Sequence, residues 1–244
     1  MIKKPKTRIS VHQITVDDLL INVIRKDIKN LRLSIHPPDG RLQLAAPLRT
    51  SDETVRLMVM SKMTWIKKHI ARFAGQPQQA TPQYVSGESH YLKGQRYILN
   101  VVFHDTVPKV RIRDSHIDLY VRTECSEQKR EQIMNAWYRQ QLKTQIPILI
   151  AKWQPILGVE VRDWGIRQMK TKWGTCNTQA QRIWLNLYLI QKPEHCLEYV
   201  VVHEMVHLLE RHHNARFFAY MDKFLPQWRI YRHELNQFPL SHAD

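Results

Sequence analysis

The sequence predicts an α+β fold with a β-rich N-terminal half followed by a helical half. Three observations carry this. Short apolar runs separated by turn residues dominate up to about residue 122. From Ser126 onward the apolar residues fall mostly at helical spacing. Over 244 residues, 43% hydrophobic and 24% charged, the composition is that of a chain able to bury a core, which excludes a wholly disordered or fibrous class.

Residues 1–18 are polar and basic and read as a loosely held N-terminal arm. Leu20–Arg25, Leu31–His36 and Leu42–Ala46 read as strands, the last two joined by the turn Pro37-Pro38-Asp39-Gly40. Thr50 and Glu53 form a capping box. Val55, Met58, Met63, Ile66, Ile70 and Phe73 then trace one amphipathic helix up to Gly75, its apolar stripe belonging to a core. Gly75–Gln83, rich in Pro and Gln, reads as a linker. Strands follow at Tyr97–Phe103, Val110–Arg113 and Ile117–Arg122, where Arg111 and Arg113 alternate with Val110 and Ile112 as one wet, basic face. Ser126 opens a long helix that Pro147 should kink and Pro155 should end. A strand near Val161–Met169, a loop Lys170–Thr178, a strand near Ile183–Asn186 and a helix from Pro193 complete the chain. No repeat of solenoid length is visible.

The charge is the unusual number. With 37 Lys and Arg against 22 Asp and Glu the net charge is +15. Residues 1–124 hold 21 against 11, and the remainder 16 against 11. Such a diffuse excess predicts non-specific attraction to nucleic acid at low salt without naming a partner. Cys125, Cys176 and Cys196 cannot form a disulfide framework. The basic start, Met1 to Lys6, precedes no apolar h-region, so no signal peptide is expected. No apolar run reaches the ~18 residues of a membrane span. A reduced cytoplasm is the expected location, with no membrane partner.

Chemistry concentrates in His203-Glu204-Met205-Val206-His207, an HExxH. Two positions four apart lie about 40° apart on a helix, so both imidazoles can hold one Zn²⁺ while Glu204 projects towards a water beside them. With 13 His and 11 Glu the composition yields roughly 0.03 chance occurrences, so coincidence is a poor account. The preceding run Leu197–Val202 is the apolar approach of a buried helix, and Pro193 suits its first turn. A catalytic zinc takes three protein ligands and keeps one position open. Glu210 shares the face of His203 but lies about 10 Å along a continued helix. Glu234 would serve as a distant carboxylate on a later helix. His212 and His213 reach the metal only if the helix ends and the chain folds back, which Asn214, a good N-cap, favours. The geometry prefers the His pair without choosing between its members.

The series Met169-Lys170-Thr171-Lys172-Trp173-Gly174-Thr175-Cys176, Ile183-Trp184-Leu185-Asn186, Pro193, Tyr199-Val200-Val201-Val202-His203-Glu204 and His213-Asn214-Ala215-Arg216-Phe217-Phe218 resembles the YgjP-like zinc metallopeptidases, relatives of the SprT-like group. The likeness extends more weakly to Tyr91–Tyr97 and the N-terminal hairpin and helix, covering roughly residues 20 to 238. It implies a metallopeptidase domain over 19–239, divided into a β-rich half at 19–124 and a zincin-like, zinc-binding half at 126–239. It implies His203, His207 and His213 as zinc ligands, Glu204 as general base, and a protein or peptide as substrate. Asn214 stands where family members usually carry a small residue such as Ser, and it still caps. The His spacing equals that of metzincins, but Glu210 replaces their helix-ending Gly, so that assignment is poor.

By the same resemblance, the strand near Ile183–Asn186 would align an extended peptide by β-addition. Lys172, Tyr199 and His212 are candidate donors to the oxyanion. Trp173 and Gly174 read as a packed turn beside the site, and Cys176 as a buried structural thiol. Two other functions suit parts of the sequence. A nucleotide (UTP) pyrophosphatase would suit the basic surface, although no Gly-rich phosphate loop or acidic cluster for Mg²⁺ is visible. A DNA-associated SprT-like protease, or a nucleic-acid-binding module with structural zinc, would use the basic strands. The oligomeric state is not legible in the sequence.

Overall fold

The computed structural model describes residues 9–36, 40–74 and 82–238. It is a mixed α+β structure of two compact units, Met1–Ala80 with Ala243–Asp244, and Thr81–His242. The expected 19–239 domain thus spans both units, and the 124–126 junction lies inside the second.

In the first unit, strands β1 (Ser10–Val16), β2 (Leu19–Lys26), β3 (Arg32–His36) and β4 (Arg41–Pro47) form a sheet of order β1-β2-β4-β3. β2 and β4 run parallel, and the outer pairs are antiparallel. Residues 10–16 are therefore a strand and not part of an arm. Ile14 and Val16 alternate with Thr15 and are buried, so the period-two signal outweighs the polar composition. The turn Pro37-Pro38-Asp39 and the linker up to residue 81 fall outside the described residues.

The expected single helix is two, α1 (Asp52–Ser61) and α2 (Met63–Ala74). The break at Lys62 coincides with the five-residue step from Met58 to Met63, which no helical stripe accommodates. There the Ser61 hydroxyl donates to the Met58 carbonyl, 2.7 Å away, competing with the helical ladder. The N-cap is Ser51 and not Thr50: its hydroxyl accepts the Thr54 amide at 3.2 Å, while Arg25 draws the Thr50 carbonyl and the Asp52 carboxylate together. Ile21, Val23, Leu42 and Leu44 close on Val55, Val59 and Ile66 to make this unit's own core.

The second unit builds the same topology on an unlike sequence. Strands β5 (Ser89–Leu92), β6 (Gln95–Phe103), β7 (Lys109–Arg113) and β8 (His116–Val121) take the order β5-β6-β8-β7, with β6 and β8 parallel. In each unit a Ser-capped helix follows the fourth strand. The expected alternation along β7 is not seen: Arg111, Ile112 and Arg113 are all exposed, because β7 is an edge strand. Arg113 pairs with the buried Asp118 at 2.8 Å, so part of the basic face is neutralised.

α3 (Glu127–Leu157) buries Met134, Tyr138, Leu142, Ile146, Ile150, Trp153 and Leu157 along one stripe. It passes through Pro147 and ends two residues beyond Pro155, at the left-handed Gly158. Burial on both sides of Pro147 outweighs its one lost hydrogen bond. A second sheet has the order β10-β11-β9, from β9 (Asp163–Arg167), β10 (Gly174–Asn177) and β11 (Arg182–Asn186). Residues 174–177, expected in a loop, are thus the outer strand of a hairpin. Asn177 Oδ1 accepts the Ala180 amide at 3.0 Å and shapes its turn.

A 3-10 turn (Leu187–Gln191) leads into α4 (Glu194–Val206), then α5 (Ala215–Phe224) and α6 (Trp228–Leu235). α4 is apolar nearly all round and runs through the core of this unit. The carboxylate of Glu198 fixes it to α3 by accepting from Trp153 Nε1 at 2.9 Å and Lys152 Nζ at 2.6 Å. The β5–β6 turn packs against its start. Gly94 sits there at φ +81, and a Cβ would lie 2.9 Å from the Pro193 ring, so both the conformation and the space require glycine.

Candidate active site

α4 delivers the first two groups. His203 and Glu204 occupy its last turn, and His207 is its C-cap residue, with the His207 amide bonded to the His203 carbonyl. The chain turns over residues 207–209 and bends through 211–214. Asn214 then caps α5, its Oδ1 accepting the Phe217 amide at 3.0 Å. This reversal returns His213 to the face that His203 presents. Their Nε2 atoms lie 3.0 Å apart, and one donor nitrogen from each of His203, His207 and His213 falls within 4.8 Å of the others. Two ligands held about 2.0–2.1 Å from one tetrahedral ion would lie about 3.3 Å apart, so the spacing suits a shared metal.

The rings rest on one side chain. Phe217, buried at the first turn of α5, has its centroid 5.0 Å from His203, 4.8 Å from His207 and 4.7 Å from His213. His207 Nδ1 lies 3.1 Å from the Glu210 carbonyl, the partner that fixes the tautomer and leaves Nε2 bare. His203 Nδ1 is buried without a hydrogen-bond partner. Burial, then the neighbouring His207 and His213, push the His203 pKa down to about 3, and burial lowers His207 and His213 as well. Each shift favours the neutral form that a metal ligand needs.

Glu204 is buried beside them. Burial pushes its pKa up to about 8, with Lys172 acting in the opposite sense. What faces it is Gly174 at the start of β10: a Cβ there would lie 2.6 Å from Glu204 Oε1 and 2.7 Å from its Cγ. A second residue holds this approach in place. The fully buried Asn186 donates from Nδ2 to the carbonyls of Met169 and Lys172, both at 2.8 Å, and its amide donates to the Trp173 carbonyl at 2.9 Å. Loop 169–173 is therefore tied down, and Gly174 meets Glu204.

The other candidates go elsewhere. Glu210 Oε1 accepts the His212 amide at 3.1 Å, which braces the reversal and leaves Glu210 outside the His group. Glu234 lies 2.6 Å from His195 Nε2, joining α6 to the first turn of α4. Cys196 completes a second His/Cys/Glu group there, and burial pushes its thiol up to about 12, so without a metal it stays protonated. Cys176 likewise stays a thiol, near 12 through burial. His212 is exposed and does not line the cleft, whereas Lys172 and Tyr199 do. Burial raises the Tyr199 hydroxyl to about 12, so it stays a donor.

The cleft over these groups has a volume of about 920 Å³. β10 runs along it, with Trp184 at one wall and Arg211, Arg232 and Asn236 also lining it. The expected substrate strand near Ile183–Asn186 is β11, which is paired on both sides by β10 and β9 and has no free edge. Among the described residues, the strand with an unpaired edge in the cleft is β10. Sequence reasoning missed β10, Arg211 and Arg232, for which no local signal exists. A polar Asn186 closing the apolar run Ile183–Leu187 was the readable sign of the anchor.

The family described as YgjP-like, metallopeptidase domain, matches residues 29–238. No curated protein matches the chain significantly. Among solved structures, the metallopeptidase zymogen of Pyrococcus abyssi abylysin is 20% identical, with a TM-score of 0.35, over 37% of this chain and 90% of its own. The metallopeptidase zymogen of Methanocaldococcus jannaschii jannalysin is 19% identical, with a TM-score of 0.34, over 38% and 94%.

Two outcomes follow from this packing. Gly174→Ala drives a methyl group into the Glu204 carboxylate and should cut turnover at least tenfold while metal content stays stoichiometric; unchanged turnover would show that the contact does not position Glu204. In the metal-free protein, the fold favours neutral Glu204, whose carboxyl rises from 4.5 to about 8. That stabilisation is complete below about pH 4.5 and is lost as pH rises towards 8. The melting temperature of metal-free Glu204→Gln relative to wild type should therefore climb between about pH 5 and pH 8. A difference independent of pH would contradict the burial of this carboxyl.

Proposed function

The chain belongs to the YgjP-like metallopeptidase family, and we propose that it hydrolyses peptide bonds with a zinc ion held by His203, His207 and His213 and with Glu204 as general base. The observation that carries the reading is the convergence of three imidazoles beside one buried glutamate. Three nitrogen donors are the set that a catalytic zinc takes while keeping a position open.

When bound, zinc supplies Lewis-acid polarisation of a carbonyl oxygen and lowers the pKa of a water. The chain's own residues do the rest. β10 offers its unpaired edge to an extended peptide, whose main chain hydrogen-bonds along it. Glu204 takes a proton from the attacking water at its carboxylate and passes it to the amine nitrogen that leaves. Gly174 keeps that carboxylate in place by leaving it room. Tyr199, one turn before His203 on α4, donates a hydrogen bond from its hydroxyl to the oxygen that gains charge at the carbonyl carbon.

Glu204→Gln should retain one zinc per chain and lose about 10²- to 10⁴-fold in cleavage of a protein substrate such as casein, the range expected for a general base. His213→Ala should lose its zinc while His212→Ala keeps it, read by metal analysis of the purified proteins. Equal cleavage by wild type and Glu204→Gln, or full zinc in His213→Ala, contradicts the assignment.

A further inference from the structure

The walls of the cleft carry charge of one sign. Its charged lining residues are Lys172, Arg211 and Arg232, together with Glu204. Glu204 is buried, whereas the three cations are exposed and come from three separate segments: the loop before β10, the bend after His207, and α6. None of the three forms an ion pair among the described residues. Some cations elsewhere in this unit are matched: Arg229, three residues before Arg232 on the same helix, pairs with Asp222, Arg113 pairs with Asp118, and Arg182 pairs with Asp163. The uncharged part of the lining is largely polar, including Thr175, Asn177 and Asn236.

Arg232 lines the cleft from α6, and its charge bears on His203, His213 and Tyr199, while that of Lys172 bears on Glu204. The backbone of α6, from which Arg232 projects, is held in place. Glu234 on the same helix holds His195 of α4 at 2.6 Å, and the Trp228 indole donates to Asp222 at 2.8 Å. A guanidinium without an acidic partner among the described residues suits a planar anion, because its fork matches both oxygens of a carboxylate.

Resting on the peptidase reading above, we propose that this cleft selects peptides bearing a carboxylate close to the scissile bond, with Arg232 as the specificity-determining residue that binds it and Arg211 and Lys172 supplying the surrounding positive field. The carboxylate has two sources, an Asp or Glu side chain or the free C-terminus of the peptide. A triphosphate would meet the same cations, but it would leave the unpaired edge of β10 unused.

The test compares matched fluorogenic peptides: Glu or Gln beside the cleaved bond, each with a free or an amidated C-terminus. Binding of the same peptides to zinc-loaded Glu204→Gln is followed by fluorescence anisotropy. Wild type should cleave, and Glu204→Gln should bind, the carboxylate peptides at least tenfold better than the neutral ones. The preference should shrink as salt rises, because the cations are exposed. The favoured member identifies the source: Glu over Gln for a side chain, free acid over amide for the C-terminus. Arg232→Ala should bring the ratio of acidic to neutral close to one, and Arg232→Glu should turn it towards a matched Lys peptide. A ratio is unmoved by a general loss of folded protein, so it separates recognition from stability. Cleavage of all peptides without preference, or a ratio unchanged in Arg232→Ala, overturns the inference and leaves the peptidase reading standing. Selective binding without cleavage by wild type overturns the peptidase reading and keeps the anion site. Hydrolysis of UTP with neither binding nor cleavage of any peptide overturns both.

Discussion

Everything in the site depends on one reversal of the chain, between the end of α4 and the start of α5. A helix alone can present His203 and His207 on one face, but it would carry His213 about 15 Å further along its axis. The His207 ring contact to the Glu210 carbonyl, the Glu210 carboxylate on the His212 amide and the Asn214 cap close the turn within seven residues. Together they fix where the third imidazole stands. Phe217 gives the three rings a common apolar support, so the cluster is set by packing before any metal arrives.

The small sheet does for Glu204 what the reversal does for the histidines. Asn186 buries its whole amide to tie down loop 169–173, which places a residue without a side chain against the carboxylate. The same hairpin supplies an unpaired strand edge in the cleft. In the proposed reading, positioning and substrate alignment both come from a single short element, whose sequence between Lys170 and Thr178 reads as an irregular loop.

The α+β class, most strands of both four-stranded sheets and the long α3 were legible because period-two and helical spacing are local signals. So were the HExxH pair and the break at Asn214, since two positions four apart and an N-cap are also local. Less legible was whatever depends on partners far away in sequence. The polar residues of β1 hid a strand whose partner is β2. β10 is a strand only because β11 pairs with it. Glu234 looked available as a ligand until α6 brought it to His195. The net charge of +15 also misled in one respect. Its larger share lies in residues 1–124, which draws attention away from the motif, whereas three cations without an ion pair among the described residues line the cleft around the histidines. Total charge describes the surface, and pairing decides which charges remain available to a substrate.

The account predicts one metal surrounded by imidazole nitrogens, with the two neighbouring thiols left out. X-ray absorption of the zinc-loaded protein measures this directly. Three imidazole nitrogens and one further light atom at about 2.0–2.1 Å, with no sulfur, is the predicted shell. A sulfur scatterer at about 2.3 Å, placing Cys176 or Cys196 on the metal, would contradict it.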